Sequence, residues 1–278
     1  MGRGDRKGAF RLAVFVLTLF FLRWVFSSHH VANELEAFNF IAGVQTILFW
    51  TIFFWVMYLA FEPFVRRRWP GRIISWSRLL AGGFRDPLVG RDILIGAVFG
   101  LGIILSQFYF ANLVPQWFGY PPSSPWWDFP ATRLLGLRSF GHGFTNQVFA
   151  ALTQSFILLF ILLLLFIVLR RERIAAIVLF VISATALSLT VESAPGVPFA
   201  ILGTVLLIWV LYRYGLLALI STIFFLHLLI FFPVTSDLSA WYAADYVLAL
   251  IVCVGLAVFG FYTSLAGQPL FRGALPDD

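Results

Sequence analysis

Long apolar stretches recur along the whole chain and constrain its fold more than any other feature. Eight can be traced: Ala9–Phe26, Phe38–Phe61, Ile93–Val114, Asn146–Leu169, Ile174–Val191, Val197–Tyr212, Gly215–Phe232 and Trp241–Leu265. A membrane-spanning helix needs about 20 mostly apolar residues, with a range of about 17–25. A water-soluble fold would have to cover all eight with polar side chains, and this chain lacks them. Of its 278 residues 61% are hydrophobic and 12% charged, against about 45–50% and about 25% in soluble domains. Mean hydropathy is +0.93. The 18% aromatic content excludes a disordered chain. The expected fold is all-α, a polytopic transmembrane helical bundle of about eight spans, with residues 1–278 forming one domain.

The sixth and seventh stretches meet at Arg213-Tyr214-Gly215. They are two short spans with a tight turn, or one long bent helix. A continuous helix of about 36 residues would greatly overshoot a hydrocarbon core about 30 Å thick, which favours two. The basic residues test the count independently. With the N-terminus inside, the cytoplasmic segments hold Arg3, Arg6, Lys7 and Arg11, then Arg66, Arg67, Arg68, Arg72, Arg78, Arg85 and Arg91. They also hold Arg170, Arg171, Arg173, Arg213 and Arg272, which makes sixteen of the 19 basic residues. Arg133 and Arg138 fall outside, and Arg23 lies near the outer end of the first stretch. The positive-inside rule therefore predicts both termini in the cytoplasm. In this setting the net charge of +6 sets orientation and implies no nucleic-acid partner. The basic N-terminus leads into an apolar stretch as a signal peptide would, but no small-residue cleavage site follows, so a retained span is expected. The lone cysteine, Cys253, excludes an intramolecular disulfide and a cysteine-based zinc cluster.

Two connections stand out. In 62–92, Glu62-Pro63 is expected to end the second helix. Arg66-Arg67-Arg68 follows, placed to meet anionic lipid head groups. Pro70–Phe84 reads as an amphipathic helix in the interface plane, with Ile73, Trp76, Leu79, Leu80 and Phe84 on one side and Arg78 and Arg85 on the other. Gly82-Gly83 is a stop signal, Arg85-Asp86-Pro87 a break, and Asp92 the expected N-cap of the third span. This cytoplasmic elbow is a plain interfacial connector or a docking surface for a cytoplasmic protein. Its candidate contacts are Arg66, Arg67, Arg68, Arg72, Trp76, Arg78, Arg85, Asp86, Arg91 and Asp92. The external segment 115–145 carries five prolines and three tryptophans. It is expected to form a rigid cap, an aromatic belt or a ligand-binding lid, with Leu134–Phe140 as a short interfacial helix and Gly141-His142-Gly143 as a hinge.

Polar groups inside a bilayer are costly, so each is a functional candidate. His227 and Asp245 lie nine residues either side of Ser236, the middle of the last turn. An antiparallel hairpin would set them at one depth, as a helix–helix clasp or as a proton- or ligand-responsive pair. Arg23, His29, His30, Glu34 and Glu36 gather near the first external turn. With no HExxH and no third spaced ligand, they read as solvated charges rather than a metal site. Glu192 sits in a short external turn near them. Gln45, Gln107 and Gln154 are expected to tie helices together, and Gly96 and Gly100 make a GxxxG face. No kinase HRD or DFG run and no nucleophile motif occurs, so no catalytic residue, cofactor or metal is expected.

The words Tyr58-Leu-Ala-Phe-Glu-Pro-Phe-Val-Arg-Arg-Arg-Trp-Pro70, Ile74-Ser-Trp-Ser-Arg-Leu-Leu-Ala81 and Arg85-Asp-Pro-Leu-Val-Gly-Arg-Asp92 are similar to the C-terminal polytopic membrane region of some large bacterial serine/threonine protein kinases. The opening Gly2–Gly8 resembles the linker that leads into those spans. The kinase domain itself is missing from this sequence, so no catalytic residue carries over. The resemblance implies a bacterial inner (plasma) membrane location and a non-catalytic anchor or sensor module. A small-molecule transporter or permease-like protein is the alternative.

Overall fold

Every one of the eight apolar stretches folds as helix over at least part of its length. The computed structural model describes residues 5–27, 35–106, 111–120, 136–191, 194–232, 237, 239–240 and 243–268, and among these all regular structure is helical. Six helices are long and apolar enough to cross a membrane: α1 (Arg6–Ser27), α2 (Leu35–Arg68), α4 (Pro87–Ile104), α6 (Leu137–Leu169), α8 (Val197–Arg213) and α10 (Ala243–Ser264). The chain is a helical membrane protein. Four further α-helices are described, α3 (Pro70–Leu80), α5 (Ala111–Trp117), α7 (Glu172–Ser188) and α9 (Leu216–Phe231), with a 3-10 turn at Ala194–Gly196 before α8. Among them α9 is apolar but has only 16 residues.

The sixth and seventh stretches are separate helices. Gly215 begins α9 at φ 101°, a backbone conformation that L side chains rarely adopt. A Cβ there would also collide with the backbone of Arg72 in α3. This turn is therefore glycine for two independent reasons, and it brings the elbow helix against the α8–α9 connection.

α9 is the centre of the molecule. Twelve of its residues, from Leu216 through Leu228, are buried. A helix apolar and buried all round belongs inside a bundle rather than on its surface. It packs principally against α4 and α6. The α4 contact is close because Gly96 and Gly100 face it: a Cβ on either would clash with Ser221, Thr222 or Phe225. On another face of α4, Gly90 approaches Gly260 and Ser264 of α10 equally closely.

Direct contacts place the helix ends. Arg11 in α1 donates to the Leu80 carbonyl of α3 (2.9 Å), and the backbone N–H of Asp5 donates to Glu62 near the end of α2 (3.2 Å). Arg72 reaches Glu172 at the start of α7 and Tyr212 at the end of α8. At the opposite end Arg138 of α6 donates to the Phe26 carbonyl of α1 (3.1 Å), and Gly143 of α6 lies beside Phe232 after α9. All described basic residues except Arg23 and Arg138 thus belong to the end that carries α3.

Four expectations are corrected. Glu62-Pro63 does not end α2, which continues to Arg68. Pro63 withholds one N–H, but Phe61, Val65 and Trp69 are buried on either side of it, and the Glu62–Arg66 ion pair (2.6 Å) bridges it. Packing therefore overrides the helix-breaking tendency. The N-cap of α4 is Asp86, whose side chain accepts from Leu88 N–H (2.9 Å) with Pro87 at the first helical position; Asp92 lies inside the helix. Gly141-His142-Gly143 is no hinge, because α6 runs through it unbroken. Those glycines make room for Phe26 and Phe232. Gln45 and Gln154 are exposed on α2 and α6 instead of tying helices together, whereas Gln147 is buried. Gln107, residues 121–135, His29, His30, Glu34, Glu192 and Ser236 lie outside the described residues.

Candidate functional site: the elbow between α2 and α4

The elbow is built on a stripe. Trp69, Ile73 and Trp76 are buried, and Leu79 and Leu80 half-buried, at spacings of three and four that put them on one helix face. The helix stops at Leu80, where Gly82 turns at φ 91° and Gly83 N–H returns to the Arg78 carbonyl (2.9 Å). Phe84 falls beyond that turn and is exposed, off the buried face.

Arg72 shares the buried side. Its guanidinium lies between the Trp69 ring (4.6 Å) and the Tyr212 ring (4.5 Å). Its Nε donates to the Tyr212 carbonyl (3.1 Å), and its Nη2 pairs with Glu172 Oε1. Glu172 Oε2 accepts from the Trp69 indole N–H (2.8 Å). One carboxylate therefore binds two side chains of the elbow, and the arginine spans from α3 to α7 and α8. Partial burial alone would raise the Glu172 carboxyl; the Trp69 and Arg72 donors overcome that and hold it below its usual range.

Two more carboxylates flank α3. Glu62 is buried, with Arg66 and the Asp5 backbone as partners. Asp5 in turn accepts from Gly8 N–H (2.8 Å), which caps α1, and the buried Tyr58 stands beside both acids and Ser77. Asp92 is fully buried in α4; its Oδ1 takes two hydrogen bonds from Arg91 (3.0 and 2.8 Å), and Ser75 of α3 stands beside it. Asp92 Oδ2, Ser75 Oγ and Trp76 Nε1 are buried without a hydrogen-bond partner among the described residues.

The ten elbow residues singled out from sequence thus divide. Arg72, Trp76 and Asp92 face inward and offer nothing to a docking partner. Arg78 and Asp86 pair with each other (2.8 Å), Arg91 with Asp92, and Arg66 with Glu62. Arg67, Arg68 and Arg85 are exposed and form no ion pair among the described residues. Sequence reasoning missed Glu172, Tyr212, Tyr58 and Ser75. The one available signal was Glu172 standing as the sole acid within Arg170-Arg171-Glu172-Arg173.

Beside the elbow lies an apolar cavity of about 650 Å³, walled by Trp76, Leu79 and Leu80 of α3, Phe144 and Val148 of α6, and Phe224 of α9, with Arg11 at its edge. A second, of about 580 Å³, is more polar and takes in Arg23, Asn39, Thr46 and His142. His227 and Asp245 are both buried, on α9 and α10, but no hydrogen bond joins them. The His227 ring rests against Phe231, and neither residue lines these two cavities. α10 packs mainly on α4 rather than on α9. Among the described residues no group of three or more His, Cys, Asp or Glu side chains could hold a metal ion.

What the fold and site define is a class: a multi-helix membrane protein whose basic end is closed by an inward-packed elbow. No family model matches the chain, and the comparisons with curated proteins and with solved structures find no match.

Proposed function

We propose that this chain is a non-catalytic anchor or sensor module of a bacterial inner membrane, spanning it eight times with both termini cytoplasmic. The observation that carries the reading is that α3 is clamped to the bundle by Arg72–Glu172 and also walls the 650 Å³ apolar cavity. A change inside the bundle would reach α3 directly, and the turn after α3 leads to the exposed tip Phe84-Arg85. That tip is the docking face for a cytoplasmic protein. The wording of the elbow makes a serine/threonine kinase domain the first partner to test.

Two measurements test it. A cysteine at position 85, in a Cys253→Ser background, should react with a membrane-impermeant maleimide in inside-out vesicles and not in intact cells; labelling of intact cells overturns the orientation. Chemical cross-linking in native membranes should capture cytoplasmic proteins with wild type and lose them in Phe84→Ser/Arg85→Glu. An unchanged set of captured proteins sinks the docking role.

The transporter reading draws on the more polar cavity around Arg23, Asn39 and His142 and on the intramembrane His227 and Asp245. Solute flux in proteoliposomes that is unchanged in Asp245→Asn would remove that pair from any transport path.

A further inference from the structure

Two of the arginines left over from the elbow, Arg67 and Arg68, meet Arg170 at a separate hollow. Between the ends of α2 and α6 is a cavity of about 570 Å³ lined by Phe64, Arg67, Arg68, Leu163, Phe166, Ile167 and Arg170. Its residues segregate along the helices. Arg67, Arg68 and Arg170 line the end, and Phe64, Leu163 and Ile167 stand about a turn or more nearer the middle of their helices. Phe64 and Ile167 are exposed on the outer surface.

Among the described residues the three arginines have no acid. Arg68 stacks over the Phe166 ring (5.0 Å), and neither Arg67 nor Arg170 makes an ion pair. The carboxylates on neighbouring turns are engaged elsewhere, Glu62 by Arg66 and Glu172 by Arg72 and Trp69. Arg170 is also held in an unusual way. It caps α6 at φ 56°, with its N–H on the Phe166 carbonyl (2.8 Å). Glycine is the usual residue in that conformation.

Three cations around one cavity repel each other unless an anion sits among them. The cavity joins a cationic head to an apolar wall that faces outward, at the end of two apolar helices. That combination is complementary to one molecule with a negative head and an aliphatic tail. We propose that this hollow is a binding site for a single anionic glycerophospholipid, its phosphodiester among Arg67, Arg68 and Arg170 and one acyl chain along Leu163 and Ile167. Arginine suits this role because its planar fork binds phosphate oxygens in pairs. The proposal rests on the reading that this end lies at a membrane–water boundary, and not on the docking of a partner.

The test uses the full chain in nanodiscs of phosphatidylcholine, with phosphatidylglycerol titrated in and thermal unfolding as the readout. Phosphatidylglycerol should raise Tm at a few mole per cent. Arg68→Gln and Arg170→Gln should each weaken its apparent affinity about five-fold. Arg173→Gln removes the same charge from an exposed arginine outside the cavity and should leave affinity within two-fold of wild type. Equal loss in Arg173→Gln would mean general surface attraction and overturn the site. Equal stabilisation by inorganic phosphate alone would make it a free-phosphate site and overturn the lipid. Failure of the chain to enter nanodiscs at all would overturn the membrane reading beneath both. Arg170→Gly relieves the backbone at φ 56° and so guards against misfolding: it should fold well in phosphatidylcholine yet show the same weakened affinity for phosphatidylglycerol as Arg170→Gln.

Discussion

Replacing Glu172 by glutamine should loosen the elbow from the bundle, and the size of the effect follows from the geometry. The Arg72 side chain is 10% exposed and that of Glu172 32%. A fully buried pair costs about 3–5 kcal/mol when one partner is removed, and an exposed one about 0–1. This pair lies between those limits. Glutamine retains one acceptor oxygen, so the Trp69 bond can survive, and the stacking of Arg72 on Trp69 and Tyr212 is untouched. What is lost is the charge opposite a buried guanidinium, about 2 kcal/mol. Thermal unfolding in nanodiscs, followed by tryptophan fluorescence, should show a drop of about 5 °C. Arg72→Met removes the stranded cation, so the double variant should recover much of the loss, with a coupling of at least about 1 kcal/mol. Because the Glu172 carboxyl titrates below its usual 4.5 when folded, its contribution is present above that pH. It is lost as pH falls through the lower folded value, so the gap between wild type and Glu172→Gln should close on acidification. A single variant within about 0.5 kcal/mol of wild type, or strictly additive singles, would refute the clamp.

Three further outcomes are expected. Gly215→Ala forces a Cβ onto φ 101° and into the Arg72 backbone, and should lower stability by about 2 kcal/mol or more; wild-type Tm would show that the α8–α9 turn is looser than described. Pro63→Ala restores an N–H inside α2 and should raise stability by about 1 kcal/mol or more. A drop instead would mean that the proline sets the approach of Glu62 to Asp5. Gly96→Leu should split α4 from α9 and abolish accumulation of folded protein, whereas Gly102→Leu, with open space around its Cβ position, should be tolerated; equal expression of both would refute the close packing.

The helical architecture was readable because apolar run length is a direct physical requirement of a bilayer. The boundaries were less so. Asp92 and Asp86 both precede apolar residues, and only the proline after Asp86 separates the capping acid from the buried one. Gly141-His142-Gly143 has the composition of a hinge, and nothing local reveals that Phe26 and Phe232, more than 80 residues away in each direction, occupy the space. Arg72 illustrates the same limit. At the level of charge it belongs with its neighbours in the elbow, but its position three residues after Trp69 and four before Trp76 puts it on the apolar face. A buried arginine becomes intelligible only once Glu172, a hundred residues later, is in place.

The all-round burial of α9 has a consequence for biogenesis. Ribosomes deliver the N-terminal helices first, so α4 and α6 are made before the helix against which they pack. Until residue 231 has emerged, the Gly96–Gly100 groove has nothing to fill it, and the inward sides of α4 and α6 must face lipid or a chaperone. The core of this molecule is therefore a late arrival, and a chain cut short before α9 would lose its centre rather than its edge.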